Sequence, residues 1–484
     1  MIFASPLHGF PTTFSRVAKA VALALPLFCA AQPALFAAKP RPKKSAPAHH
    51  AKPAAKTTRK PLAKGRRKPV AHDDAISPER GTFAAESVQA TLAESPANPF
   101  LYARNLDPFF RALAAQQAGK TDTTIRILQF GDSHTAADYF TGAVRDLLQS
   151  RFGNGGLGYQ FPGHPFNGYR LAGSSRSQTS GWITDGNHFT HLGDGYVGLG
   201  GLSISTERPG ESVTLSTTCT TLQIQYLRQP GGGHLHFTDN GTFISDIDTG
   251  VDTSPAATDV ARPTTDPRGA GTMTYACTPG VHDFELTTLD RAPVRLLGLV
   301  TEQPGITYEC LGINGAYAPL MLQWNQTLFA DYLRQRDPNL IVLAYGTNEA
   351  AQSAAHNEDY IYDFNRLLQN LHRIVPEAAI LVLGPYDRAM KTGRGRRASW
   401  HTFAGTDRII ADQKESCRQY HCAFYDERAR QGGPGSAIRW VSAGYGQPDR
   451  THLTGTGYRA LAQALYLDLL AAYKKFQAQS DPVN

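Results

Sequence analysis

The sequence predicts an α/β fold, a mostly parallel sheet with helices on both faces, interrupted by an inserted all-β domain. Three observations predict it. Largely apolar runs at Ile125-Arg126-Ile127-Leu128-Gln129-Phe130, Leu340 to Tyr345 and Ala379 to Leu383 alternate with segments of helical spacing. Strands apolar along their whole length belong to a parallel sheet covered on both faces. Between about 165 and 305 that rhythm stops. Gly, Ser and Thr dominate there, with short alternating runs such as Leu222-Gln223-Ile224-Gln225-Tyr226 and His234-Leu235-His236-Phe237, the texture of a β-sandwich.

The elements follow in order. Residues 1–38 read as a secretory signal: Arg16 and Lys19 precede an apolar stretch from Val21 to Ala31, and small residues run on to Ala38. Ala31 and Ala37 both offer a cleavage point. The stretch is short and broken by Pro26, which disfavours a membrane span. Residues 39–94 read as a basic Pro/Ala/Lys-rich disordered tether, with too few large apolar side chains to fold. Such a tether can associate weakly with anionic cell-envelope surfaces or serve as a plain spacer. The first part of the α/β domain is expected at 95–164, as helix, strand and helix. The β domain follows at 165–305. The second α/β part is expected at 306–478, with helices near 319–335, 357–375, 403–420 and 456–476, and a tail closes the chain at 479–484.

The formal charge of +7 misleads. The first seventy residues hold fourteen Lys and Arg and no acid, which leaves 34 basic against 41 acidic residues in the rest. The folded part is mildly acidic, so no nucleic-acid partner is expected. Of six cysteines, Cys29 falls in the signal. Cys417 and Cys422 are close enough for a local disulfide, Cys219 and Cys277 could bridge the β-rich region, and Cys310 is left as a buried thiol. No Cys/His spacing resembles a metal site, and no cofactor is expected.

Four segments carry chemistry: Gly131-Asp132-Ser133, Gly312-Ile313-Asn314-Gly315-Ala316, Gly346-Thr347-Asn348-Glu349 and Asp449-Arg450-Thr451-His452. Ser133 follows a strand end, where open α/β sheets place their ligands. A serine nucleophile needs a base, and His452 can serve. An imidazole needs a carboxylate to fix its tautomer, and Asp449 lies three residues before it. An oxyanion needs preorganised donors. The backbone N–H groups of Ser133 and Gly315 and the amide of Asn348 can supply them.

These segments resemble the Ser, Gly, Asn and His blocks of the SGNH (GDSL-type) hydrolases. The third block departs mildly, with Glu349 where Asp is common. Gly131-Asp132-Ser133-His134-Thr135-Ala136, the exported chain, the β insertion and Gly346-Thr347-Asn348-Glu349 resemble most the bacterial peptidoglycan O-acetylesterases. That resemblance covers roughly 120–475. It implies a flavodoxin-like three-layer α/β/α domain and a carbohydrate-binding-module-like insert. It also implies a secreted, periplasmic or cell-envelope serine esterase acting on an acetylated cell-wall polysaccharide, with catalytic Ser133, Asp449 and His452 and an oxyanion hole of Ser133, Gly315 and Asn348. An O-acetyltransferase with the same residues, a broad lipase or arylesterase, and a non-catalytic glycan-binding protein are the alternatives.

Several neighbours invite roles that plain structure also explains. Asp132 is expected to cap the helix that follows. His134 is expected to pack or hydrogen-bond, Asp138 to be a solvated helix residue, and Gly312 to serve a turn. Trp182, Tyr196 and Tyr226 are expected in the core of the insert more than on a sugar-stacking face. Arg388 to Arg397 form a basic loop after the strand ending at Leu383, which can meet an acidic substrate or simply be solvated.

Overall fold

The computed structural model describes residues 77–186, 193–251, 266–351, 359–394 and 398–480. The signal segment and most of the tether lie outside the described residues. Six strands form the central sheet: β1 (Phe100–Leu101), β2 (Ile125–Gly131), β3 (Ile306–Gly312), β4 (Leu340–Ala344), β5 (Ala379–Leu383) and β6 (Ala423–Tyr425). Their order is β1-β6-β5-β4-β2-β3, all parallel except the short edge strand β1.

Side chains alternate across a strand, and the two faces carry separate cores. Leu128, Phe130, Ile341, Leu343, Ile380 and Val382 pack with the helices Gln326–Arg336, Tyr360–Ile374 and Gly405–Gln419. Ile125, Ile127, Leu340, Val342, Leu381 and Leu383 pack with the helices Asp107–Gln117, Tyr139–Phe152 and Gly455–Ser480. The architecture is the expected three layers. Each fully buried Leu or Ile contributes about 1.5–3 kcal/mol of transfer free energy.

Among the described residues the second sheet has nine strands, all between Gly158 and Glu302, where an insertion over 165–305 was expected. Two facing sheets were expected, but the strands hydrogen-bond into one continuous sheet. The reason lies in two long strands, Ser212–Arg228 and Gly269–Thr288, which pair antiparallel along most of their length and change register between Ala276 and Gly280. Trp182, Ile224, Tyr226, Phe237, Phe284 and Leu296 form a core of their own. Tyr159, Phe161, Phe166, Tyr196 and Leu199 instead join the core of the central sheet, so the insertion is rooted in the α/β domain. Trp182, Tyr196 and Tyr226 are all buried, so packing accounts for them.

Two further expectations are corrected. The end of the tether, read as disordered through residue 94, is the helix Pro78–Ala93. Ser77 caps it by accepting from the Arg80 N–H, Pro78 opens it, and Ala84 and Val88 bury one face. A face two residues wide is too narrow to register in a segment otherwise made mostly of alanine and polar residues. Asp138 is not solvated. Its carboxylate is buried in an ion pair with Arg145 (2.7 Å) and accepts from Thr141 Oγ1 (2.6 Å) and the Ala172 N–H (2.9 Å). Seven residues separate the pair, two helical turns, and that spacing was the available signal.

Cys417 and Cys422 form a disulfide. Cys219 and Cys277 are free thiols on paired strands with sulfurs 3.7 Å apart, and Cys310 is a buried thiol. Among the described residues no helix is long and apolar enough to cross a membrane.

Candidate active site

The register of the central sheet brings three of the four segments together. Gly131 lies beside Gly312 on one side and Ala344 on the other, so β2, β3 and β4 end level with one another. The turn after β2 is held tightly. A Cβ on Gly131 would lie 2.9 Å from the Ala344 carbonyl oxygen and would overlap the Thr135 side chain. Gly312 does more than serve a turn: a Cβ there would meet the backbone of Ala136. Gln129 Nε2 donates to Thr135 Oγ1 (2.9 Å), and Tyr308 donates its hydroxyl proton to Gln129 Oε1 (2.6 Å). Asp132 caps the short helix Ser133–Ala136 by accepting from the His134 N–H at 2.9 Å, as expected.

Ser133 Oγ stands 2.9 Å from His452 Nε2, and His452 Nδ1 stands 2.7 Å from Asp449 Oδ2. The other carboxylate oxygen of Asp449 accepts from the Thr451 and His452 N–H groups, both at 3.0 Å. Burial opposes ionisation of Asp449, but the His452 ring and these two N–H groups outweigh it and hold the carboxyl down to about 2. An ionised carboxylate only accepts. Nδ1 therefore carries the proton, and Nε2 is left to accept from the Ser133 hydroxyl. The Asp449 hydrogen bond raises the His452 imidazole above its ordinary value, against the opposing effect of burial.

The oxyanion candidates are linked through short bonds. Gly315 has φ of +72°, a conformation natural to glycine. The Ile313 N–H donates to the Gly131 carbonyl (3.0 Å), tying this loop to the Ser133 turn. Asn348 Nδ2 donates to the Ala316 carbonyl (2.8 Å), which leaves the second amide proton available. The Ser133 N–H belongs to the first turn of a helix, where N–H groups have no intrahelical acceptor.

Glu349, read from sequence only as a departure in the third block, joins these parts. Fully buried, it accepts from the Ala318 N–H (2.8 Å) through one oxygen and from the Gly346 N–H (3.0 Å) through the other. It thus ties the loop of Gly315 to the loop of Asn348. Burial raises its carboxyl to about 7 in spite of those bonds. No local pattern announces such a bridge, because its second partner lies 31 residues away.

Below His452 the site is buried and aromatic. The His134 ring lies 5.2 Å from that of His452 and 4.6 Å from that of Tyr386, and its Nδ1 meets the Tyr458 hydroxyl at 2.9 Å. Burial holds His134 well below the ordinary imidazole value, so it stays neutral and presents no like charge to His452. Burial also raises Asp132 to about 7, the His134 N–H only partly offsetting it. Among the described residues no cluster of three His, Cys, Asp or Glu could hold a metal ion.

A hydroxyl, imidazole and carboxylate in this sequence of contacts can move a serine proton, and the surrounding donors can receive a negative oxygen. Residues 275–460 match the GDSL-like Lipase/Acylhydrolase family. No curated protein matches the sequence. A solved peptidoglycan O-acetylesterase superposes with a TM-score of 0.62 at 24% identity, over 76% of this chain and 96% of that one, so the two share a fold. A family two carbohydrate esterase from Clostridium thermocellum in complex with cellohexaose aligns at 12% identity over 55% of this chain and 94% of that one, with a TM-score of 0.27. One from Cellvibrio japonicus aligns at 13% over 62% and 99%, with a TM-score of 0.25.

Proposed function

We propose that this chain, a serine esterase of the GDSL-like SGNH type, removes O-acetyl groups from a cell-wall glycan, peptidoglycan first among them. The observation that carries the reading is the run of contacts from Asp449 through His452 to Ser133, at 2.7 and 2.9 Å. In the first step Ser133 Oγ attacks the acetyl carbonyl carbon while His452 Nε2 takes the hydroxyl proton. The carbonyl oxygen becomes an oxyanion received by the N–H groups of Ser133 and Gly315 and by the Asn348 amide. The tetrahedral intermediate collapses with cleavage of the bond to the sugar oxygen, to which His452 returns the proton. Water then attacks the acetyl-enzyme with His452 again as base, releasing acetate and restoring Ser133.

The substrate class is drawn from the shared fold with a peptidoglycan O-acetylesterase and from the Gly131 to Ala136 motif. In this reading the chain is exported, and the inserted sheet holds the glycan. A polar groove there, lined in part by Ser180, Ile183, Glu207, Arg208 and Arg295, has a volume of about 750 Å³. Replacing Ser133 by Ala is expected to abolish hydrolysis of p-nitrophenyl acetate and labelling by a fluorophosphonate probe. Turnover or labelling that survives Ser133→Ala removes Ser133 from the mechanism.

A further inference from the structure

The segment after β5 folds into a hairpin, Ala389–Thr392 paired with Ser399–Thr402. It carries Arg388, Lys391 and Arg394, and no acid occurs from 388 to 406. The hairpin is fastened to both sides of the site just described. At its base the Ala389 N–H donates to the carbonyl of Arg450 (3.0 Å), the residue after Asp449. Arg388 Nη1 donates to the Thr347 carbonyl (2.9 Å), the residue before Asn348. The arm therefore spans from the Asn348 loop to the His452 loop.

Arg388 and Lys391, and Arg450 beside the hairpin, are held against aromatic rings. The Arg388 guanidinium lies over the Phe403 ring at 4.7 Å, and that of Arg450 over Trp400 at 3.6 Å, with Lys391 Nζ on the same ring at 5.6 Å. Arg450 has a positive φ of 55°, a conformation that costs energy in a non-glycine residue. The Nε donors of both Arg388 and Arg450 are buried without a hydrogen-bond partner among the described residues. The nearest acids in sequence are engaged elsewhere, Asp387 with the Ala437 N–H, Asp449 with His452 and Asp407 with Arg428. Among the described residues none of these cations has a carboxylate partner. Aromatic stacking preorganises a guanidinium at little entropic cost. Nη1 of each already donates to a carbonyl, of Thr347 for Arg388 and of Pro448 for Arg450, which leaves Nη2 as the donor for an anion.

We infer that Arg388, Lys391 and Arg450, supported by Phe403 and Trp400, together with Arg394 of the same hairpin, form a subsite for a carboxylate carried by the substrate chain beside the ester that Ser133 attacks. The chemistry is the same for a carboxylate on the sugar and for one on a peptide attached to it. The inference rests on the acetylesterase reading for the ester, but not for the anion.

The test uses the full chain and two acetylated glycans, peptidoglycan bearing its peptides and the same polymer stripped by an amidase. Each is compared with a sample whose carboxylates are capped as methylamides. A charge-assisted contact of about 1.5–3 kcal/mol corresponds to a tenfold or greater effect. For at least one polymer, kcat/KM is expected to fall tenfold or more on capping, with the gap narrowing at high salt. The sensitive polymer identifies where the carboxylate sits. The double variant Lys391→Glu, Arg394→Glu is expected to bring the ratio of uncapped to capped kcat/KM to about one. Equal rates on capped and uncapped forms of both polymers, or an unchanged ratio in the variant, overturn the inference. Calorimetric binding of an unacetylated, carboxylate-bearing oligosaccharide separates the two readings. Binding that is lost on capping upholds the subsite even if no acetate is ever released, and absence of binding overturns it even if acetate is.

Discussion

Replacing Glu349 by Ala isolates the bridge between the two oxyanion loops. The substitution removes both acceptors of the buried Ala318 and Gly346 N–H groups. Each buried donor left unpaired costs about 1–3 kcal/mol. Water entering the truncated site recovers part of this, so the expected loss of stability is about 2–4 kcal/mol. The loss also depends on pH. The folded carboxyl is raised from 4.5 to about 7, so the native state binds this proton more tightly than the unfolded chain. Its contribution is complete below 4.5 and declines as pH rises through 7. The gap between the parent and Glu349→Ala is therefore widest near pH 5 and narrower at pH 8, as read by urea denaturation at the two values. Deleting one preorganised donor typically lowers kcat by about 10²–10³-fold. Here the donors are displaced and not deleted, so roughly a 10–100-fold loss in kcat is expected with p-nitrophenyl acetate, with little change in KM. Glu349→Asp, one methylene short of reaching both loops, should fall between. A variant that loses stability but keeps its kcat would reduce Glu349 to a purely structural bond. A gap that widens with pH would refute the electrostatic argument.

Other outcomes follow from the same contacts. The rate should rise with pH through a value above 6.5, the neutral His452 being the active base. Asp449→Asn should lower kcat by roughly 10²–10⁴-fold and move that limb to lower pH in a pH–rate profile. Asp138→Asn leaves the Arg145 charge buried and should cost about 3–5 kcal/mol by chemical denaturation. Gly131→Ala has no room between Thr135 and Ala344 and should cost about 1–3 kcal/mol, with kcat reduced as the Ser133 turn shifts.

The parts legible in the sequence were those with local signatures. Buried parallel strands announce themselves as apolar runs, so β2, β4 and β5 and the helices after them were recognisable. Glycine at strand ends and the three-residue spacing of Asp449 and His452 carried the site. What escaped was fixed by partners distant in the chain or by weak local patterns. Glu349 meets Ala318, and the hairpin strand after Arg388 is fastened to Arg450. Asp138 looked like an ordinary helix-start acid until Arg145, Tyr308 and Ala172 closed around it. The helix Pro78–Ala93 buries only two side chains, too faint a pattern among mostly alanine and polar residues. The two long strands of the insert merged what its composition suggested would be separate sheets.

The central claim is that Ser133, driven by His452 and Asp449, releases acetate from an acetylated cell-wall glycan. Acetate release from O-acetylated peptidoglycan by the intact chain and by Ser133→Ala tests it most directly. Steady release by the intact chain and none above background by the variant is the predicted result. No release from peptidoglycan by an intact chain that hydrolyses p-nitrophenyl acetate, or equal release by both proteins, would contradict it.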